Sequence, residues 1–274
     1  MFFYKQYYPC AALAELVECY WILQSTGDFM PVPDRLIPGG RVELMFNLGE
    51  PVQWLIQPGE NTGSAMQGAF IMGQRNKIFY AKGNGAAHIV GLRFKPGGLA
   101  AFTNMPVSAL LNSVVQAEDI FGDNINSWAA LLFEESSPAN ITTLLESLLQ
   151  QAIQSQPADK GIMHYAINIL RNGDDNTSVK TICDDTGWYY KKLERLFLKN
   201  TGYTPKYYGK ITRFNKALRL MQGEQSLTGI CYQCNYFDQS HFIKDFHEFA
   251  GTSPNQFKKE DNKIASLLIK HQPV

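Results

Sequence analysis

One cassette occurs twice in this chain, about 49 residues apart. The first copy reads Ile182-Cys183-Asp184-Asp185-Thr186-Gly187, then Leu193 and Phe197, then Gly202-Tyr203-Thr204-Pro205 with Tyr208. The second reads Ile230-Cys231-Tyr232-Gln233-Cys234-Asn235, then Phe242 and Phe246, then Gly251-Thr252-Ser253-Pro254 with Phe257. In both, an apolar anchor lies five residues before a glycine, and Gly-x-[Ser/Thr]-Pro-x-x-[Tyr/Phe] follows. A repeat that keeps apolar spacing, turn and stop signal is two copies of one supersecondary unit.

Each copy reads as helix, tight turn, helix. Ser178 is a good N-cap for the first short helix. Gly187 supplies the positive φ that a sharp turn between helices needs, and Asn235, in the same slot of the second copy, is the residue that best replaces glycine there. Cys183 and Cys231 occupy a small-residue slot where two helices approach. Leu193 with Phe197, and Phe242 with Phe246, are i,i+4 pairs that hold one helix face on a core. Thr204-Pro205 and Ser253-Pro254 read as N-cap and first helical residue of the next helix.

From about Gly161 to Lys259 these residues resemble the AraC/XylS-type DNA-binding domain, two helix-turn-helix units joined by a long helix. The matching residues are Leu193-Glu194-Arg195-x-Phe197 with Gly202-x-Thr204-Pro205, and Tyr236-x-Asp238-Gln239-Ser240-His241-Phe242-x-Lys244-x-Phe246 with Gly251-x-Ser253-Pro254. Departures are cysteine in the usual alanine slot of each first helix, Tyr189 where serine is common, and Asn235 in place of glycine. The resemblance implies double-stranded DNA as a partner. It also leaves room for RNA polymerase, a small-molecule effector of unknown identity, and a homodimer.

The formal charge of the whole chain is zero, which by itself argues against nucleic acid. Dividing the chain reverses that. Residues 1–157 hold 8 Lys+Arg against 13 Asp+Glu (−5), and residues 158–274 hold 17 against 12 (+5). Between Gly187 and Gln222 nine basic residues face one acid, Glu194. An ordinary solvated helix face could carry such a stripe, but beside the cassette it is the electrostatic footprint of a DNA surface. From Gly223 to Ala250 the balance is Lys244 against Glu224, Asp238, Asp245 and Glu248, so the first unit is expected to dominate affinity.

The expected fold is α+β in two domains: a β-rich barrel or sandwich with appended helices over 1–157, and an all-α tandem helix-turn-helix domain over 158–274, with units at 178–200 and 227–250. The boundary falls near Gln154-Ser155-Gln156-Pro157-Ala158-Asp159. Strand patterns lie at Arg41 to Leu48, Val52 to Ile56, Ala69 to Met72, Lys77 to Ala81 and His88 to Phe94, punctuated by Gly and Pro. Helices are expected from Trp128 to Glu135 and along an apolar stripe from Ile141 to Ile153, which either packs on its own domain or mediates self-association. The segments 34–38 and 93–98 look like those of the sensor or dimerisation domains that accompany the resembled family. A cavity lined by Trp21, Phe46, Trp54, His88 and Phe94, with Arg35, Arg41 or Arg93 as polar anchor, would suit a ligand. Plain core is the competing reading of those aromatics.

Other chemistry finds little support. Cys231-x-x-Cys234 with His241 and His247 lacks zinc-finger spacing, the paired glycines lack a following Lys-Ser/Thr, and no nucleophile or metalloprotease motif occurs. No catalytic residue, metal or cofactor is therefore expected. The N-terminus lacks the pattern of a secretory signal, no apolar run is long enough to span a membrane, and five irregularly spaced cysteines make no disulfide framework. A cytoplasmic protein is expected. The alternative is a metabolite-binding protein, or an enzyme, whose helix-turn-helix domain no longer binds DNA specifically.

With Leu193 and Phe197 inward, Tyr190, Lys191, Glu194 and Arg195 project from the first recognition helix. Arg195 suits a bidentate guanine contact, while Glu194 either accepts from a cytosine amine or pairs with Lys191 or Arg195. In the second unit Asp238 caps the helix and Gln239, Ser240, His241 and Lys244 project. Gln239 suits adenine, and Lys244 suits guanine or phosphate. A connecting helix from Pro205 to about Gln222 would fix the two readers about 27 Å apart.

Overall fold

The structure, a computed structural model, describes residues 2–27, 29–57, 64–135, 137–154, 159–172 and 175–260. Its first half is built on eight strands: β1 (Phe2–Tyr7), β2 (Val17–Ser25), β3 (Asp34–Leu36), β4 (Glu43–Leu55), β5 (Ser64–Met72), β6 (Phe79–Gly83), β7 (His88–Phe94) and β8 (Val114–Gln116). They form one antiparallel sheet in the order β1-β2-β7-β4-β5-β8, with the β3–β6 ribbon joined to it through β4.

The long strand β4 explains the shape. Its first part, Glu43 to Asn47, pairs with β7, and its second, Val52 to Leu55, pairs with β6, while β5 runs along both. The register shifts between Asn47 and Val52, and such a bulge bends a strand and increases its twist. Asn47 secures the bend by donating its side-chain amide to the carbonyls of Glu50 (2.9 Å) and Met66 (2.8 Å). The expected two strands at 41–48 and 52–56 are thus one bent strand. The sheet does not close into a barrel; it folds into a sandwich, and of the two expected forms this is the one found.

Bending buries both faces. On one side Tyr20, Ile22, Leu44, Phe46, Val90, Leu92 and Phe94 form a core with three helices, α1 (Glu118–Phe121), α2 (Asn124–Glu134) and α3 (Pro138–Ala152). Ile141, Leu145 and Leu149 of α3 lie at 0–1 % exposure in that core, so the apolar stripe packs on its own domain. On the other side Cys19, Trp21, Leu23, Met45, Phe70 and Ile89 meet Leu36, Phe79 and Ala81 of the β3–β6 ribbon. Period-two alternation therefore serves two cores rather than a core and solvent.

The second half is helical: α4 (Lys160–Asn172), α5 (Asp175–Thr186), α6 (Tyr190–Thr201), α7 (Pro205–Leu220), α8 (Leu227–Gln233), α9 (Gln239–Ala250) and α10 (Pro254–Lys259). These share one core, centred on Phe197, Tyr208, Phe214, Phe242, Phe246 and Phe249. The expected boundary at 154–159 lies largely outside the described residues. The halves pack on one another. Ile37 inserts into the helical core, the Tyr203 hydroxyl donates to the Arg75 carbonyl (2.6 Å), the Gly97 amide donates to the Asn200 carbonyl (3.2 Å), and Arg35 donates to the Ala250 carbonyl (3.0 Å).

Candidate nucleic-acid interface

The two cassettes fold alike. The turn after α5 is made by Gly187 at φ 66°, and the turn after α8 by Asn235 at φ 56°, the same left-handed conformation with and without a side chain. The recognition helices α6 and α9 are each 12 residues long and end on glycine, Gly202 at φ 75° and Gly251 at φ 70°. Thr204 then accepts from the Tyr207 amide and Ser253 from the Gln256 amide, both at 3.3 Å, so α7 and α10 begin with the same cap followed by proline. One detail differs from expectation: α5 begins at Asp175, so Ser178 lies within its first turns and is not its N-cap.

Leu193, Leu196 and Phe197 bury the inner face of α6, and Lys191, Lys192, Arg195 and Lys199 stand exposed on the outer face. Tyr190 is only half-exposed and packs against the core. Burial, and then the neighbouring Glu194 carboxylate, push its phenol above the ordinary range. Glu194 also receives Lys191 Nζ at 3.4 Å, so its carboxylate is engaged from within the helix. On α9, Gln239, Ser240 and Lys244 are exposed, whereas the half-exposed His241 ring turns toward Asp245 (3.7 Å) and sits edge-on to Tyr236. Asp238 caps α9 by accepting from the His241 amide at 2.7 Å.

The basic stripe divides at the end of α6. On α7, Lys210 contacts Asp245 (3.2 Å) and Glu248 (2.7 Å). Although burial works against its charge, Glu248 and Asp245 hold the Lys210 ammonium above its ordinary range. Arg213 is buried, 3.5 Å from Asp245 and over the Tyr236 ring. Lys216 and Arg219 face a cleft between the two halves of the chain. The connecting helix is therefore a brace and a cleft wall: of the cations that the basic stripe places on it, Lys210 and Arg213 are held by acids of α9. It is 16 residues long, about 24 Å at 1.5 Å per residue, and ends two residues earlier than the spacing suggests.

Two aromatic side chains that spacing did not single out stand beside the recognition helices: Tyr189, 62 % exposed, and Phe237, 90 % exposed. Both sit in the turn just before a helix, where periodicity gives no signal. Lys192 lies 3.8 Å from the centre of the Trp188 ring, which fixes another cation at the start of α6.

The expected ligand cavity inside the β-rich half does not assemble. Phe46 and Phe94 point into one core and Trp21 and Trp54 into the other. Arg93 is buried against Glu43 (2.8 Å), and Arg35 bonds Glu260 (3.1 Å). The thiols of Cys231 and Cys234 are buried, and burial pushes Cys234 up to about 11, so neither is a reactive thiolate near neutral pH.

Residues 182–260 match a helix-turn-helix domain family, and residues 5–116 match a domain of unknown function, DUF6597. The chain carries a helix-turn-helix domain in its second half. An uncharacterized HTH-type transcriptional regulator of Haemophilus influenzae is 24 % identical over 115 residues, 42 % of this chain and 39 % of that protein. The HTH-type transcriptional activator RhaS of Shigella boydii is 30 % identical over 86 residues, 31 % of each. The chain thus spans only about a third to two-fifths of the curated relatives it matches. Among solved structures, ToxT from Vibrio cholerae superposes with a TM-score of 0.49 at 11 % identity, over 86 % of this chain and 97 % of that one. Among the described residues no helix is long and apolar enough to cross a membrane.

Proposed function

We propose that this chain is a sequence-specific DNA-binding transcription regulator in which α6 is the principal reader and α9 a weaker second. The DNA-reading domain would begin near residue 158, and residues 1–157 would modulate it through a small molecule or self-association. The observation that carries this reading is the pair of equal 12-residue helices, each set by a left-handed turn, with exposed Lys191, Arg195 and Lys199 on one and exposed Gln239, Ser240 and Lys244 on the other. Helices so presented fit the major groove. Arg195 is the side chain we assign to a guanine, and Gln239 to an adenine. Glu194, engaged by Lys191 and Tyr190, orients its neighbours rather than a base. The naming of the RhaS relatives as activators favours activation, with RNA polymerase as a further partner, and such a role is cytoplasmic.

Selection of bound sequences from a random duplex pool by the full chain tests this. A defined motif is expected, and Arg195→Ala should relax it at one base pair with a loss of about 1–3 kcal/mol. An enriched pool with no motif, or an Arg195→Ala motif identical to wild type, would remove readout by α6. Absence of salt-sensitive DNA binding would favour a metabolite-binding protein or enzyme instead.

A further inference from the structure

A cavity of about 680 Å³ lies between the two halves of the chain. Sites for small molecules enclose about 300–1,000 Å³. Its walls come from the segment between β3 and β4, the loop after β7, and the helices α4 and α7. Six cationic side chains line it against two carboxylates, Glu15 and Glu18. Both carboxylates are already paired, Glu18 with Arg41 at 2.8 Å and Glu15 with Lys160 at 3.1 Å. Lys95, Arg171, Lys216 and Arg219 bring four further cations to the wall.

That charge is crowded. Burial, and then Arg41 and Arg171, pull the Arg219 guanidinium below its ordinary range. Like charges gathered in a partly buried place disfavour one another, and an anion seated among them removes the penalty. Arginine forks suit carboxylate and phosphate oxygens, which they meet through two parallel hydrogen bonds. Asn168, Thr212 and Tyr208 add neutral hydrogen-bonding groups to the wall, while Leu16, Pro96, Met163 and Ile167 supply apolar surface beside them. The excess of cations over carboxylates in this lining fits an anionic ligand.

We infer that this cleft binds a small organic polyanion, bearing carboxylate or phosphate groups, that bridges Lys95 of the β-rich half to Arg171 and Lys216 of the helical half. The site is complete only while the halves are packed, so the ligand favours the packed arrangement over any in which they separate. This deepens the proposed regulation and rests on that reading for its consequence, not for the binding itself.

The test is calorimetric titration and thermal unfolding of the full chain with citrate, pyrophosphate and oleate at constant ionic strength. Citrate or pyrophosphate should bind and raise Tm, and which of them binds more tightly separates a carboxylate from a phosphate source. Arg171→Gln and Lys216→Gln should each weaken that binding about tenfold, as expected on removing one charge-assisted hydrogen bond. Lys216 carries no ion pair among the described residues, so its variant tests charge without removing a structural partner. The inference is overturned if neither anion binds at millimolar concentration, if both variants bind as wild type does, or if oleate binds and the anions do not. DNA affinity of the same preparations without additive is read separately. Its absence would sink the regulator reading and leave the anion site standing.

Discussion

The two helix-turn-helix units share a backbone plan and spend their charges in opposite ways. Aligned from their first residues, α6 and α9 place Leu193 with Phe242, Arg195 with Lys244, Leu196 with Asp245 and Phe197 with Phe246. Leu196 and Asp245 are both buried, yet one is an ordinary core residue and the other a carboxylate between Lys210 and Arg213 of the connecting helix. The first unit can therefore leave its cations facing outward. The second uses Asp245 and Glu248 to hold itself to α7, so its net negative charge is partly internal fastening. The difference shows that charge counted along a sequence is not charge presented to a partner.

The largest expected effect breaks that fastening. Asp245→Ala leaves Arg213 buried without its carboxylate and should cost about 3–5 kcal/mol in denaturant unfolding. A cost for Asp245→Ala no larger than that of an ordinary surface change, under about 0.5 kcal/mol, would mean that the ion-pair brace is inert.

The turns sharpen the comparison at smaller scale. Gly187→Ala puts a side chain at φ 66° and should destabilise by about 1–2 kcal/mol, whereas Asn235→Gly should change stability little, because asparagine already tolerates that conformation. Equal losses at the two positions would show that the turns are not equivalent. Smaller still is the cap. Asp238→Ala should cost about 1 kcal/mol, while Tyr189→Ala should cost no cap energy, since no side chain caps α6.

Much of this was legible in the sequence, and the failures have physical reasons. The cassette located both recognition helices because its signals are local: a left-handed turn, i,i+4 anchors, and a cap with proline. The fate of Lys210 and Arg213 was not legible, because their partners lie 38 and 32 residues away and a tally of charges along the chain carries no information about pairing in space. In the β-rich half, β7 matched its pattern from His88 to Phe94, but β2 was missed because both of its faces are buried and the alternation disappears. Gly49-Glu50-Pro51 read as an interruption between strands, where Asn47 instead holds a bulge. The aromatics expected to share one cavity alternate along strands whose two faces feed separate cores, while the cleft between the halves draws on residues from Glu15 to Arg219 that no local pattern joins.

The central claim is that the first unit presents its charge to DNA and the second turns much of its own inward. The most direct measurement is the salt dependence of affinity for a selected duplex, compared among wild type, Arg195→Ala, Lys244→Ala and Lys210→Ala of the full chain. Removing one cation from a phosphate should lower the slope of log K against log salt by about 0.9, and removing a base-reading side chain should lower affinity at every salt concentration. The account predicts the largest drop in affinity for Arg195→Ala, a smaller one for Lys244→Ala, and an unchanged slope for Lys210→Ala. A Lys210→Ala slope reduced by the full amount for one phosphate, with Arg195→Ala binding as wild type, would contradict it.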